Sequence, residues 1–330
     1  MLGAMKKSVY LFFVLLPLCV VSAFANTTHT EEQDWLKTVA MAAHQIDYSG
    51  VFVHQSGGFV GMSRVTHVLD KDGEHEHLEE LDGKKREIIR SNDQVWLFTD
   101  GQRVRLEMHR IRPAFPALLP EHVTTLKENY LVSREEDDEV AGYRAHTIVF
   151  QPRDNLRYTH KMWTDSDSGL LLRAAVLDDR GYIIEQYAFM QLNINGNIDH
   201  SWIVQDKSSP AESSHQSQPL PLPKTESLAE PCGWQVDALP AGFQKILELR
   251  RPFKENKEPV IHLVFSDGLA GISVFIEKTN GMKHFHSGLV GQGEVHVYSR
   301  VVGDSLVTVV GEVPAKTVIK IADSVRYAGQ

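Results

Sequence analysis

Between Asp47 and Leu192 the chain is punctuated, at roughly ten-residue spacings, by turn signals. They are Gly57-Gly58, Asp72-Gly73, Asp82-Gly83, Asn92-Asp93, Asp100-Gly101, Ala141-Gly142 and Asp179-Arg180-Gly181. The runs between them are short and rich in Val, Ile, Phe and Thr, residues that suit a pleated surface. Short apolar runs bounded by such dipeptides predict an antiparallel meander. A helix precedes it. Trp35, Leu36, Val39, Ala43 and Ile46 recur at helical spacing. Thr30 and Gln33 fit a capping box, and Glu31, Glu32 and Asp34 suit the positive end of the helix dipole. A second helix is expected between Glu121 and Tyr130, after the proline-broken stretch from Pro113 to Pro120. Strands then resume at Ala145–Gln151, Arg157–Trp163, Leu170–Leu177 and Tyr182–Leu192.

Several strands are apolar on both faces. Val51 and Val53 oppose Phe52, Val95 and Leu97 oppose Trp96 and Phe98, and Leu170 and Leu172 oppose Leu171. A sheet with one face in water should alternate cleanly. Either a second helix or a partner domain covers the far face, or the sheet curves around a cavity for a lipid or an apolar peptide.

The chain starts with an address. Lys6 and Lys7 precede an apolar run from Val9 to Val21, and Ala23-Phe24-Ala25 supplies a small–x–small cleavage pattern. The run is too short to span a bilayer, which needs about 20 residues. A secretory signal over 1–25 and a soluble, exported product starting at Asn26 are expected. Cys19 lies in that run after Leu18, a poor lipobox position, and Cys232 is then the single mature cysteine. The net charge is −9, or −11 once the two lysines of the signal are gone. That balance argues against nucleic acid as a partner, because phosphate binding draws on Lys and Arg.

Asp206–Glu230 is rich in Ser, Pro and Gln and has no aromatic residue. It reads as a flexible linker between a domain over 26–205 and a smaller one over 231–330. The smaller domain shows strand-like runs at Val260–Phe265, Ile272–Glu277, Glu294–Tyr298 and Ser305–Val310. Pro314 then opens an amphipathic helix carrying Val318, Ile319, Ile321, Ala322 and Val325.

No catalytic constellation emerges. Glu74-His75-Glu76-His77 puts both imidazoles on one strand face and reads as a solvated hairpin arm; His284-Phe285-His286 has the same geometry. Gly61-Met62-Ser63-Arg64-Val65 lacks the closing glycine of a nucleophile elbow, and Gly291-Gln292-Gly293 lacks the third glycine of a dinucleotide fingerprint. Two charge features remain. Arg86, Arg90, Arg103 and Arg105 are candidates to receive an acidic peptide or an anionic lipid head group, or else form a solvated edge. The five acids Glu135–Glu139 read as a solvated loop.

Specific residues carry a resemblance. Asp47-Tyr48-Ser49-Gly50-Val51-Phe52-Val53-His54, Met62-Ser63-Arg64-Val65-Thr66-His67, Leu81-Asp82-Gly83 and Arg86-Glu87-Ile88-Ile89-Arg90 resemble the RseB/MucB family, as do Trp234-Gln235-Val236 and Leu239-Pro240-Ala241-Gly242-Phe243. These are periplasmic regulators of the envelope-stress sigma factor sigma-E. The resemblance implies an α+β fold: a large LolA/LolB-like curved antiparallel sheet closed by helices, plus a small antiparallel-sheet domain with a C-terminal helix. It further implies a periplasmic, non-enzymatic negative regulator without cofactor or metal. Such a protein binds the periplasmic region of a membrane-spanning anti-sigma factor (RseA/MucA) and shields it from site-one proteolysis. A lipid-type or lipopolysaccharide-type signal releases it, and members self-associate. The alternative is a periplasmic lipid or lipoprotein carrier. As cleft candidates we take Val51, Phe52, Val53, Trp96, Phe98 and Leu171, apolar residues that one covering layer cannot all hide.

Overall fold

The computed structural model describes residues 25–106, 114–120, 123, 126–203, 226–227, 232–251, 258–279 and 287–329. Helix α1 (Ala25–Gln45) leads into β1 (Tyr48–Ser56), β2 (Phe59–Asp70), β3 (Gly73–Glu80), β4 (Arg86–Ser91), β5 (Gln94–Thr99) and β6 (Gln102–Leu106). A short helix α2 (Leu126–Asn129) precedes β7 (Tyr130–Arg134), β8 (Asp138–Val140), β9 (Tyr143–Pro152), β10 (Thr159–Asp165), β11 (Leu171–Leu177) and β12 (Ile183–Ile194). All twelve strands form one sheet in the order β6-β5-β4-β3-β2-β1-β12-β11-β10-β9-β7, with β8 on β9. The pairings are antiparallel, as the turn spacing predicts. Asn92, Asp100 and Ala141 adopt positive φ, as do Gly57, Gly73, Gly83, Gly101, Gly142 and Gly181, so each predicted turn contains a left-handed residue.

The chain then adds β13 (Glu226–Ser227), β14 (Trp234–Val236), β15 (Gln244–Arg251), β16 (Val260–Ser266), β17 (Gly271–Lys278), β18 (Gly288–Gln292), β19 (Val295–Val302), β20 (Ser305–Gly311), α3 (Ala315–Ser324) and β21 (Val325–Tyr327). Seven strands pair in the order β13-β15-β16-β17-β20-β19-β18, and β14 pairs β21. On β17, Ile272, Val274 and Ile276 are buried while the residues between them are half-buried. This sheet alternates, and α3 supplies its cover through Val318, Ile321 and Ala322.

The large sheet needs cover on both sides. Register places Phe52, Gly50 and Tyr48 on the face that also holds Val65, Leu36, Val39 and Phe115. Val51 and Val53 point to the opposite face. There Ile198 and Ile203 return over Val68, and Trp163, Leu172 and Ala175 form a separate cluster. On the Phe52 side, α1 covers one part, the segment around Phe115 and Leu119 the next, and the small domain the rest. Closure thus rests largely on a second sheet, not on helices alone.

Four expectations need correction. Helix α1 begins at Ala25, so the Thr30–Gln33 box lies inside it; once nucleated, a helix gains a hydrogen bond for each residue added upstream. The second helix is only Leu126–Asn129 among the described residues. The Glu74–His77 arm is not solvated. Glu74 Oε1 meets His44 Nδ1 at 2.8 Å, His67 Nε2 at 3.2 Å and Arg90 Nη2 at 2.7 Å, and these partners hold its carboxyl far below the usual carboxylate range despite burial. His75 is buried and accepts from Ser91 Oγ at 3.0 Å. The five-acid run is likewise engaged: Asp137 takes Arg144 and His146, and Asp138 Oδ2 accepts from Trp163 Nε1 at 3.1 Å. The signal segment through Phe24, His284-Phe285-His286, and the linker apart from Glu226–Ser227 lie outside the described residues.

Candidate functional site: an apolar cavity between two domains

The Phe52 face of the large sheet and the inner side of the small domain enclose a cavity of about 730 Å³. That is within the range of small-ligand sites. Aromatic rings build the large-domain wall. Phe115 packs on Phe52 at 5.0 Å between centroids and stacks on Tyr187 at 5.6 Å, and Met162 lies beside them. Leu247, Val264, Phe265 and Ile272 build the facing wall. Polar side chains interrupt the apolar lining, His54, His160, His262, Glu185, Glu294 and Glu312 among them. Burial pushes the His160 imidazole down, which keeps it neutral. The site is a greasy hollow with a titratable rim, and its chemistry is that of binding.

One buried contact fixes how the domains face each other. Arg157 Nη1 donates to Asp267 Oδ2 at 3.0 Å, and neither side chain touches solvent. Tyr130 OH donates to the same oxygen at 2.8 Å, its phenol pushed far up by burial and so a permanent donor. Asp267 Oδ1 accepts the backbone N–H groups of Leu269 and Ala270 at 3.0 and 2.9 Å. Arg157 also donates to the Ala241 carbonyl and lies over the Phe243 ring at 5.1 Å. Nearby, Thr317 Oγ1 donates to the Leu156 carbonyl at 2.9 Å. Cleaving one such pair leaves an uncompensated buried charge, so it pins orientation strongly.

The candidate residues scatter across this frame. Phe52 lines the cavity, and Leu171 lies in the core beneath it. Val51, Val53, Trp96 and Phe98 occupy the opposite sheet face. The four arginines do not make one patch. Arg86 and Arg90 share a face and bond Glu80 at 3.2 Å and Glu74 at 2.7 Å. Arg103 and Arg105 lie on the other face, where Arg103 sits over Trp96 at 3.8 Å and over Phe98 at 5.6 Å. Two aromatic cleft candidates are thus the stacking platform of two basic ones. Cys232 is half-buried, its thiol pushed up by burial.

Sequence reasoning missed Phe115, Tyr187, Glu185, Glu294, Arg157 and Asp267. Asp267-Gly268 carries a turn signal that could have marked the hairpin, with Gly268 at φ +102°. Nothing local ties Asp267 to Arg157, because the two are joined only by the packing of separate sheets.

Known proteins share this frame. Residues 31–207 match the MucB/RseB N-terminal domain and residues 229–326 the MucB/RseB C-terminal domain. The sigma factor AlgU regulatory protein MucB of Pseudomonas aeruginosa is 29% identical over 95% of this chain and 96% of its own length. The sigma-E factor regulatory protein RseB of Haemophilus influenzae is 26% identical over 98% of this chain and 100% of its own. The solved Pseudomonas aeruginosa MucA/MucB complex contains a chain 26% identical to this one, superposing with a TM-score of 0.70 over 91% of this chain and 100% of that one. A crystal structure of MucB superposes with a TM-score of 0.61 at the same 26% identity, over 90% of this chain and 98% of that one. With both domains matched in order along most of its length, the chain belongs to the MucB/RseB family.

Proposed function

We propose that this protein is a periplasmic negative regulator of a sigma-E-type envelope-stress factor. It binds the periplasmic region of a membrane-spanning anti-sigma factor, covers the site-one cleavage segment, and lets go when a lipid-type molecule occupies it. The observation that carries the reading is the likeness over nine-tenths of the chain to a MucB solved with MucA. The physical route is simple. A protease needs an extended, accessible chain, and two domains on one segment remove that access. Release follows when the signal prefers the unbound arrangement, since a ligand shifts only the states it distinguishes. The cavity walled by Phe52, Phe115 and Met162 offers apolar surface for an acyl chain. Division into a signal over 1–25, domains over 26–205 and 231–330, and a linker between them belongs to the same proposal. No helix among the described residues is long and apolar enough to cross a membrane.

The test uses the purified mature chain and the periplasmic segment of the anti-sigma factor from the same organism. Titration calorimetry should show a complex. Site-one protease should then cut the segment slowly, and lipid A-type amphiphiles should restore cutting. Absence of a complex overturns the reading. Amphiphile binding with no anti-sigma complex would favour the lipid or lipoprotein carrier.

A further inference from the structure

Two glycine turns, one from each domain, meet at the rim of the cavity. Ser56-Gly57-Gly58 joins β1 to β2, and Gln292-Gly293-Glu294 joins β18 to β19. Gly57 and Gly293 sit at φ +54° and +59°. A Cβ on Gly57 would lie 2.5 Å from Gln292 Cγ and 2.8 Å from Gly293 N, and one on Gly293 would lie 2.2 Å from Ser56 Oγ. Neither Gly57 nor Gly293 has room for a side chain, so the two turns approach closely there. Ser56 Oγ donates to Glu294 Oε2 at 2.9 Å across the boundary.

Behind Ser56 stands a second carboxyl. Ser56 pairs with Glu185 in the β1–β12 register, and Glu185 Oε1 accepts from His54 Nε2 at 2.8 Å and from Tyr187 OH at 3.1 Å. Ser56 thus stands between the two carboxyls, bonded to Glu294 and paired with Glu185, and the Glu185 charge acts on Glu294 across the domain boundary. Other titratable groups near this pair are Tyr158, His160 and His296; Asp178 and Asp179 act on Tyr158, and His262 and Glu312 share the cavity lining. Tyr158 OH lies 3.4 Å from His296 Nδ1 and is pushed up to about 12 by burial and by Glu294. Among the described residues no lysine or arginine bonds either carboxyl. Two carboxyls in contact attract when they share one proton and repel when they hold none. Burial, and then the Glu185 charge, push the Glu294 carboxyl above its ordinary value.

We propose that these two hairpins are a proton-operated latch on the cavity. With one proton on the Glu185–Glu294 pair the domains are held shut. When that proton leaves to solvent, two carboxylates from different domains face each other and the latch edge parts, while the Arg157–Asp267 bond stays made. The sign follows from the direction of the shift. An acid whose value is raised in the closed state favours closure at low pH. Closure weakens as pH climbs from the ordinary value of 4.5 through the raised one. Each unit of elevation multiplies the open-to-closed ratio by about ten.

The test measures the gap between the domains in the full mature chain. Nitroxides are placed at Arg180→Cys and Leu289→Cys in a Cys232→Ser background. Distances are read by double electron–electron resonance at about pH 5 and about pH 8. A longer-distance population should grow about threefold or more toward the higher pH. Glu294→Gln should hold the short distance at both, and Glu185→Gln should do the same. An unchanged distribution in the parent protein overturns the proposal, as does a full pH response that survives in either glutamine variant. The proposal deepens the regulatory reading, but no anti-sigma partner enters this measurement, so the two can fail separately.

Discussion

At Arg157 the two domains meet through opposite charges, and at Glu294 they meet through like ones. The first contact is sealed: both side chains are wholly buried, and Asp267 collects four hydrogen bonds from Arg157, Tyr130, Leu269 and Ala270. The second is a rim contact between two turns that fit only because both carry glycine. Burying an ion pair gives little net stability but makes any other arrangement expensive. Burying two carboxyls together makes the arrangement conditional on a proton. One boundary thus holds a fixed pin and a releasable edge, with the apolar hollow between two walls that need not move as one.

The largest effect should come from breaking the pin. Arg157→Leu leaves the Asp267 carboxylate buried without its counter-charge and should cost about 3–5 kcal/mol of unfolding free energy in urea. A loss below about 1 kcal/mol would demote the contact to an ordinary surface pair. Adding Asp267→Asn keeps an acceptor for the Leu269 and Ala270 N–H groups and removes the stranded charge. The double variant should recover about 2 kcal/mol, as a double-mutant cycle would measure. Additive losses would mean that the two residues act separately.

A half-buried carboxylate inside one domain responds to pH with the opposite sign. Glu74→Gln should cost about 1–3 kcal/mol at neutral pH, because the His44, His67 and Arg90 donors keep only an uncharged amide oxygen in place of a carboxylate. Glu74 is depressed in the fold, so its contribution is present above its ordinary value of 4.5 and lost progressively as pH falls below that. Acid therefore loosens the large sheet while it tightens the latch. Unfolding curves of both proteins at a series of pH values should converge toward the acid end; a constant difference would remove Glu74 from the account. The smallest effect belongs to Gly293→Ala. Positive φ and the approach of Ser56 Oγ should cost about 1–2 kcal/mol. Hydrogen exchange should rise at Gln292–Val295 and stay unchanged at Arg157–Thr159. Faster exchange at both places would show that pin and latch open together.

Much of this was legible. Turn glycines, Asn92 and Asp100 marked the hairpins because a left-handed residue is a local requirement that few side chains meet. Val318, Ile321 and Ala322 marked α3 because its face repeats with the helix period. Other features left no such mark. β15 carries Glu248 and three basic residues among its apolar ones, so its pattern did not stand out, although it pairs with β16 along most of its length. Phe52 and Val51 were legible as opposite-facing, but the alternation does not say which side meets the cavity. Arg86, Arg90, Arg103 and Arg105 looked like one patch because spacing along a strand does not reveal that two hairpin arms present them on different faces.

The antiparallel sheets, the helix that covers the smaller one, and family membership could be read along the chain, because turn conformation and side-chain period are properties of neighbouring residues. Packing alone brought Arg157 to Asp267, set Ser56 between Glu185 and Glu294, and made Phe115 and Tyr187 wall a hollow. Each of those pairings joins distant segments. Its energy exists only once those segments have packed and water has left the space between them.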